Sequence, residues 1–190
     1  VTDGIETAEK DGAACLIIGL DTPGGLAESM RRIIQSILGS KVPVVVFVSP
    51  SGARAASAGV MITMAADIAA MAPGTNIGAA HPVALGGGKM EEEMAAKVEN
   101  DAAAYAESIA TKRNRNKEWA IKAVRESVSI TETEALRVKV IDLIAENVND
   151  LLAQIDGQEV KTEAGVKTLD TKNSTVNYIE MGLREKILNT

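Results

Sequence analysis

The chain has 190 residues, enough for one α/β domain with a substantial core; 46% are hydrophobic, only 2% aromatic, and the formal net charge is −6. A core of Ala, Val, Ile, Leu and Met argues against a base-stacking nucleic-acid platform, and the acidic balance argues against a phosphate-binding surface. No apolar run reaches the length of a membrane span and no signal peptide is visible, so the chain is expected to be soluble, as a fragment of something larger.

"VTDGIETAEKDG" opens the chain as a helix. "ACLIIGLD" (14–21) is a continuous apolar run that predicts a strand buried on both faces, with the single cysteine, Cys15, inside it as a core residue. "TPGG" breaks that strand, and a helix follows with Leu26, Met30, Ile33, Ile34 and Ile37 on one side. "VPVVVFVS" (42–49) predicts a second buried strand, "SAGVMITMAADIA" a helix of small residues, and "IAAMAP" (68–73) a third strand. This alternation implies parallel pairing with right-handed crossovers.

"ALGGGKMEEEM" (84–94) reads as a mobile loop leading into a long helix that runs to about Lys112. "KEWAIKAVRESV" predicts another helix, and Thr131 and Glu134 stand at capping-box spacing before the next. A last buried strand is expected at "VIDLIAE" (140–146), then a short helix capped by Asn147 or Asn149. Beyond Asp156 the pattern changes to a small hairpin and an amphipathic helix, "NYIEMGLREKILNT". This divides the chain into a main domain, 1–156, and a tail, 157–190, that looks like an appendage to the core and leads towards a membrane segment or a partner.

Ser57 is the residue around which chemistry gathers. It stands where a buried strand gives way to a helix, so its hydroxyl lies near the positive end of the helix dipole. The amide of Ala58 is then free to donate to a developing oxyanion, and glycine in "DTPGG" lets Gly25 aim a second amide at the same place. Both segments leave the carboxyl ends of neighbouring parallel strands, where the sites of open α/β folds gather. A tight turn at Pro23-Gly24-Gly25 is the structural alternative.

A nucleophilic serine needs a base. His81, the only histidine, lies 24 residues after Ser57. Lysine can serve if its pKa falls from about 10.4 to about 7–8. Lys89, beside glycines and three glutamates, reads as solvated. Lys97 lies within the long helix, flanked by Ala95, Ala96 and Val98, with Asp101 one turn on. For Lys97 to act as a base, that carboxylate must face away or be engaged elsewhere; otherwise the two form an ordinary surface pair.

"LIIGLDTPGGL", "SGARAASAGV", "MAPGTNIGAAHPV", "KVENDAAAYAESIA" and "SITETEALRVKVIDLIAE" together resemble, in order, the protease domain of NfeD-type membrane-bound serine proteases. These are similar to signal peptide peptidase A and, more distantly, to ClpP and the crotonase superfamily. The resemblance covers roughly residues 5–156. It implies a ClpP/crotonase-like spiral of β-β-α units with a mainly parallel sheet. It also implies a Ser–Lys dyad of Ser57 and Lys97, oxyanion donors at Gly25 and Ala58, and no cofactor or metal. ClpP, with a catalytic histidine at nearly the separation of His81 from Ser57, offers His81 as the alternative base.

The implied function is cleavage of hydrophobic segments of a stomatin-like membrane protein, on the extracytoplasmic side, by a homodimer or larger oligomer, with 84–94 as a flap over the cleft. Two departures stand out. The family's strand before the first helix is missing, which points to truncation at the front. Lys139 stands where relatives often have glycine, so that turn is expected to be built differently. The competing classes are a non-catalytic scaffold that grips a membrane partner through the same cleft, and a crotonase-like acyl-CoA enzyme, for which no basic cluster is evident.

Overall fold

The computed structural model describes residues 1–83 and 91–179. Four parallel strands form the central sheet: β1 (Leu16–Leu20), β2 (Val44–Val48), β4 (Ile68–Met71) and β7 (Leu143–Ile144), in the order β1-β2-β4-β7. A smaller sheet stands beside it, ordered β3 (Arg54–Ala55), β5 (Asn76–Gly78), β6 (Ser129–Thr131), and Thr22 extends it by a parallel bridge to Ala55. Successive turns of the chain therefore give one segment to each sheet and then a helix, which is the expected α/β spiral. The helices are α1 (Thr2–Asp11), α2 (Ala27–Leu38), α3 (Ala58–Ala65), α4 (Glu92–Lys112), α5 (Lys117–Arg125), α6 (Glu132–Arg137) and α7 (Val148–Ile155).

β2 is buried throughout because apolar layers cover both faces of the sheet. Val44, Val46 and Val48 point into a cluster with Ile34, Met64, Ala106 and Ala120. Val45 and Phe47 point the other way, into a cluster with Ile68, Leu151 and Ile155. β1 reads the same in sequence but is only half-buried, because it is the outer strand and lacks a neighbour along one side. Cys15, just before it, is half-buried too, and burial pushes its thiol up to about 11.

The hairpin is present as β8 (Glu159–Thr162) and β9 (Gly165–Thr168). It does not stand apart from the core: Val160 and Leu169 belong to the cluster of Phe47 and Leu151, and Thr162 Oγ1 donates to the carbonyl of Lys41. Of the expected tail helix, 177–190, only 177–179 are described, and they are not helical; the rest falls outside the described residues. Residues 84–90 of the expected flap are also outside the described residues, and 91–94 lead into and begin α4.

Lys139 takes a left-handed φ of 62°, so the turn after α6 is built as a glycine would build it. Its amide donates to Leu136 O at 3.1 Å and that of Val140 to Ala135 O at 2.8 Å, the paired bonds of a Schellman motif. Asn116 holds the turn from outside, donating from its backbone amide to Lys139 O and from its side chain to Val138 O. Those bonds offset the backbone cost that the sequence leads one to expect. The turn also trims the last strand to Leu143–Ile144, since the amides of Val140 and Ile141 donate to Ala135 O and the Asp142 carboxylate, not a strand carbonyl, accepts from the Ala69 amide.

Candidate active site

The site lies where β1 and β2 end. The chain after β1 is laced to the chain after β2: the Thr22 amide donates to Arg54 O at 2.8 Å, and the Ala56 amide to Thr22 O at 3.1 Å. The Asp21 carboxylate accepts from the Arg54 amide at 3.0 Å. The Thr22 hydroxyl accepts from the Gly24 amide and donates to the Gly24 carbonyl, which folds the glycine strip back on itself. Gly24 has φ 142°, and a Cβ there would lie 2.9 Å from Ser57 Cβ and 3.3 Å from its Oγ. No side chain fits; the glycine strip is pressed directly against the serine.

Ser57 is half-buried at the N-cap of α3 with φ 52° and ψ −116°, a conformation that L-residues rarely adopt. Its amide donates to Ala79 O at 2.6 Å, so the segment after β5 holds the serine backbone. Its hydroxyl makes no capping bond to the helix. Among the described residues the amides of Gly25 and Ala58 have no acceptor. Ala58 is the first residue of the helix, where amides have no partner within the helix. The structure thus brings together Ser57, Gly24–Gly25 and Ala58: a hydroxyl on a strained backbone, with backbone donors that have no acceptor among the described residues.

The two candidate bases are not bonded to it. Lys97, 68% exposed, donates to Glu93 Oε1 at 2.7 Å, an i,i+4 pair on the first turns of α4. Asp101 is taken up by Arg31 of α2 and not by Lys97. The condition attached to Lys97 in the sequence is met for Asp101, while Glu93 supplies a different partner. His81 Nδ1 lies 2.9 Å from Val124 O. A carbonyl only accepts, so Nδ1 carries the proton and Nε2 is the basic nitrogen of the neutral ring.

Sequence reasoning missed Thr22, Gly24 and Ala79. Gly24 was legible as part of the quoted turn, but its contact with Ser57 was not. Ala79 acts through its carbonyl, which has no side-chain signature.

The opposite end of α3 is closed by arginines. Arg115 donates to the carbonyls of Met64, Ala66 and Val140 and to Asp142. Arg113 donates to Ala65 O and pairs with Asp67, whose carboxyl is pushed up by burial more than Arg113 draws it down.

The family described as NfeD1b, N-terminal domain, matches residues 1–179. The chain belongs to that family. This NfeD1b domain is 39% identical over 188 residues to membrane-bound protease PH1510 of Pyrococcus horikoshii, matching 97% of this chain and 42% of that protein. It is 28% identical over 182 residues to membrane protein NfeD1b of Bacillus subtilis, matching 96% of this chain and 40% of that protein. The domain therefore spans about two fifths of the length of these curated relatives.

Among solved structures it is similar to the 1510-N membrane-bound stomatin-specific protease, as a lysine-to-alanine mutant in complex with a substrate peptide. The TM-score is 0.88 at 37% identity, covering 97% of this chain and 85% of that one. A serine-to-alanine mutant of the same protease gives a TM-score of 0.85 at 38% identity, covering 94% and 87%. ClpP1 from Listeria monocytogenes, at 22% identity and a TM-score of 0.61 over 77% and 82%, shares the fold. Among the described residues no helix is long and apolar enough to cross a membrane, and no cluster of metal-ligating side chains occurs.

Proposed function

We propose that this domain is the proteolytic part of a membrane-associated serine endopeptidase, with Ser57 as nucleophile, Lys97 as general base and the amides of Gly25 and Ala58 as oxyanion donors. The observation that carries the reading is the strained Ser57 backbone at the head of α3, pressed against Gly24 and beside two amides without acceptors among the described residues. In the relative, the mutated serine and lysine stand at a chain separation within one residue of that between Ser57 and Lys97.

In the reaction, neutral Lys97 takes the proton of Ser57 Oγ as the oxygen attacks the peptide carbonyl, and the negative oxygen settles against Gly25 N–H and Ala58 N–H. Lys97 then gives its proton to the leaving amine, forming an acyl-serine. Water repeats the sequence in reverse and frees the acid. The ammonium must leave Glu93 and lose its proton before the first step. We take the substrate to be an apolar segment of a stomatin-like membrane protein, as the relative's specificity implies. A homo-oligomer acting on the extracytoplasmic side completes the proposal.

The second reading uses His81 as base. The Nδ1 contact with Val124 O fixes the tautomer that leaves Nε2 basic, and His81 follows two residues after the carbonyl that holds the Ser57 amide. Cleavage of an apolar peptide by Lys97→Arg and His81→Ala variants decides between them. Under the lysine reading Lys97→Arg is inactive, because guanidinium stays protonated, and His81→Ala keeps most of its turnover. A fall of about 10³-fold in His81→Ala with an active Lys97→Arg selects histidine. A scaffold leaves Ser57 unlabelled by a serine-reactive phosphonate.

A further inference from the structure

The helix that starts at the glycine strip and the helix that carries Lys97 are joined by one side chain. Arg31 lies on the second turn of α2, six residues after Gly25. Its guanidinium pairs with Asp101 of α4 and lies over the Tyr105 ring, 4.2 Å from the centroid. Tyr105 and Asp101 are one turn apart on α4, so Arg31 grips that helix twice, by charge and by cation–π attraction.

Asp101 is also the residue one turn beyond Lys97, in position to pair with it. We propose that Arg31 is a positioning residue that draws Asp101 away from Lys97, and so sets the proton affinity of the base while tying α4 to the helix behind the oxyanion strip. This rests on the Ser–Lys reading of the site.

The charged groups around Lys97 make the sign definite. On α4 itself Glu93 is bonded to Lys97 and Asp101 to Arg31. From α5, Arg125 is engaged with Glu99 and Asn100. α3, which also packs on α4, has no ionisable residue. Among the described residues Arg31 is therefore the group from a facing element that decides whether Lys97 has one neighbouring carboxylate or two. A second carboxylate stabilises the ammonium and holds the lysine protonated to higher pH; an unpaired guanidinium beside it does the opposite.

The test is the pH dependence of kcat/KM on an apolar fluorogenic peptide for wild type, R31Q, D101N and the double variant R31Q/D101N. R31Q leaves Asp101 to Lys97 and moves the acidic limb up by about 0.5 pH unit. D101N leaves Arg31 unpaired and moves it down by a similar amount, about 0.5 unit. The double variant returns to within about 0.3 unit of wild type. The shifts shrink in 1 M salt, about 3 Å being the screening length there. R31K keeps the pair and the wild-type limb.

A purely structural role lowers kcat and thermal stability in every variant without moving the limb. Limbs that superimpose, or that move the same way in R31Q and D101N, overturn the proposal. Lysine 13C NMR, with Lys97 assigned by K97R, reads the same order of proton affinities in a Ser57→Ala background where nothing turns over. Should K97R retain turnover, the dyad reading fails, while the NMR order still reports whether Arg31 controls Asp101.

Discussion

The two ends of α3 are built on opposite plans. At its start Ser57 holds a backbone conformation that side chains disfavour, its hydroxyl caps nothing, and the amide of Ala58 has no acceptor among the described residues. At its end the carbonyls of Met64, Ala65 and Ala66 all accept from the guanidinium groups of Arg113 and Arg115. Between the two ends all eight helical residues are buried. The helix is clamped at one end and left unsatisfied at the other, which is how strain persists at a site: the surroundings over-determine it. Cations at the carboxyl end also complement the helix dipole.

The largest expected effect lies at the strained end. Ser57→Gly should lower peptide hydrolysis by about 10⁶-fold, to background. It should also raise the melting temperature, because glycine accepts φ 52° at little cost and about 1 kcal/mol of strain is released. Calorimetry on the inactive variant checks this, and a lower melting temperature would break the contrast between the two ends.

Arg115→Met acts at the clamped end. It leaves three buried carbonyls without their donor and should cost about 3–5 kcal/mol in a urea titration. A loss below about 1 kcal/mol would show that α3 is held by its apolar contacts alone. Gly24→Ala probes the packing against Ser57. The added methyl meets Ser57 Cβ at 2.9 Å and must displace it, costing about 1–3 kcal/mol. Turnover should fall by about 10²-fold or more, because the attacking oxygen leaves its line.

The smallest effect is a gain. Lys139, like Ser57, is a non-glycine residue with positive φ, but it sits in the turn that supports Arg115 and takes no part in the proposed chemistry. Lys139→Gly should add about 1 kcal/mol of stability with unchanged kcat/KM. Activity that fell with this substitution would mean that the clamped end tunes Ser57 as well as holding α3.

The main layers of this fold were legible because they follow from periodicity. Continuous apolar runs gave β1, β2 and β4, and i,i+3/i+4 spacing gave α2, α4 and α5, with Thr131 and Asn147 capping as their side chains predict. Three elements escaped. β3, β5 and β6 have two or three residues each, too few for alternation to register, yet they deliver Ser57 and Ala79 to the site. The hairpin reads as polar because one face is exposed, and only Val160 and Leu169 betray its packing.

At the site, residue types pointed to Ser57, Gly25, Ala58, Lys97 and His81, but partners could not be read. Whether Lys97 meets Glu93 or Asp101 depends on Arg31, which is 66 positions away in the chain and two helices distant. The fate of Asp101 is a tertiary fact, and no local pattern encodes it.

The hairpin's contact with the first third of the chain has a consequence for synthesis. The Thr162 hydroxyl donates to a carbonyl 121 residues earlier, and Val160 closes the layer over Phe47 and Ile68. A ribosome adding about 5–20 residues per second needs roughly 6–24 s to make that span. During that interval the rear of the sheet, with Phe47 and its neighbours, faces water or whatever binds nascent apolar chain. The opposite face is complete sooner, because its cluster ends at Ile141 and that of the rear at Leu169. The back of the sheet is therefore the last surface to be sealed.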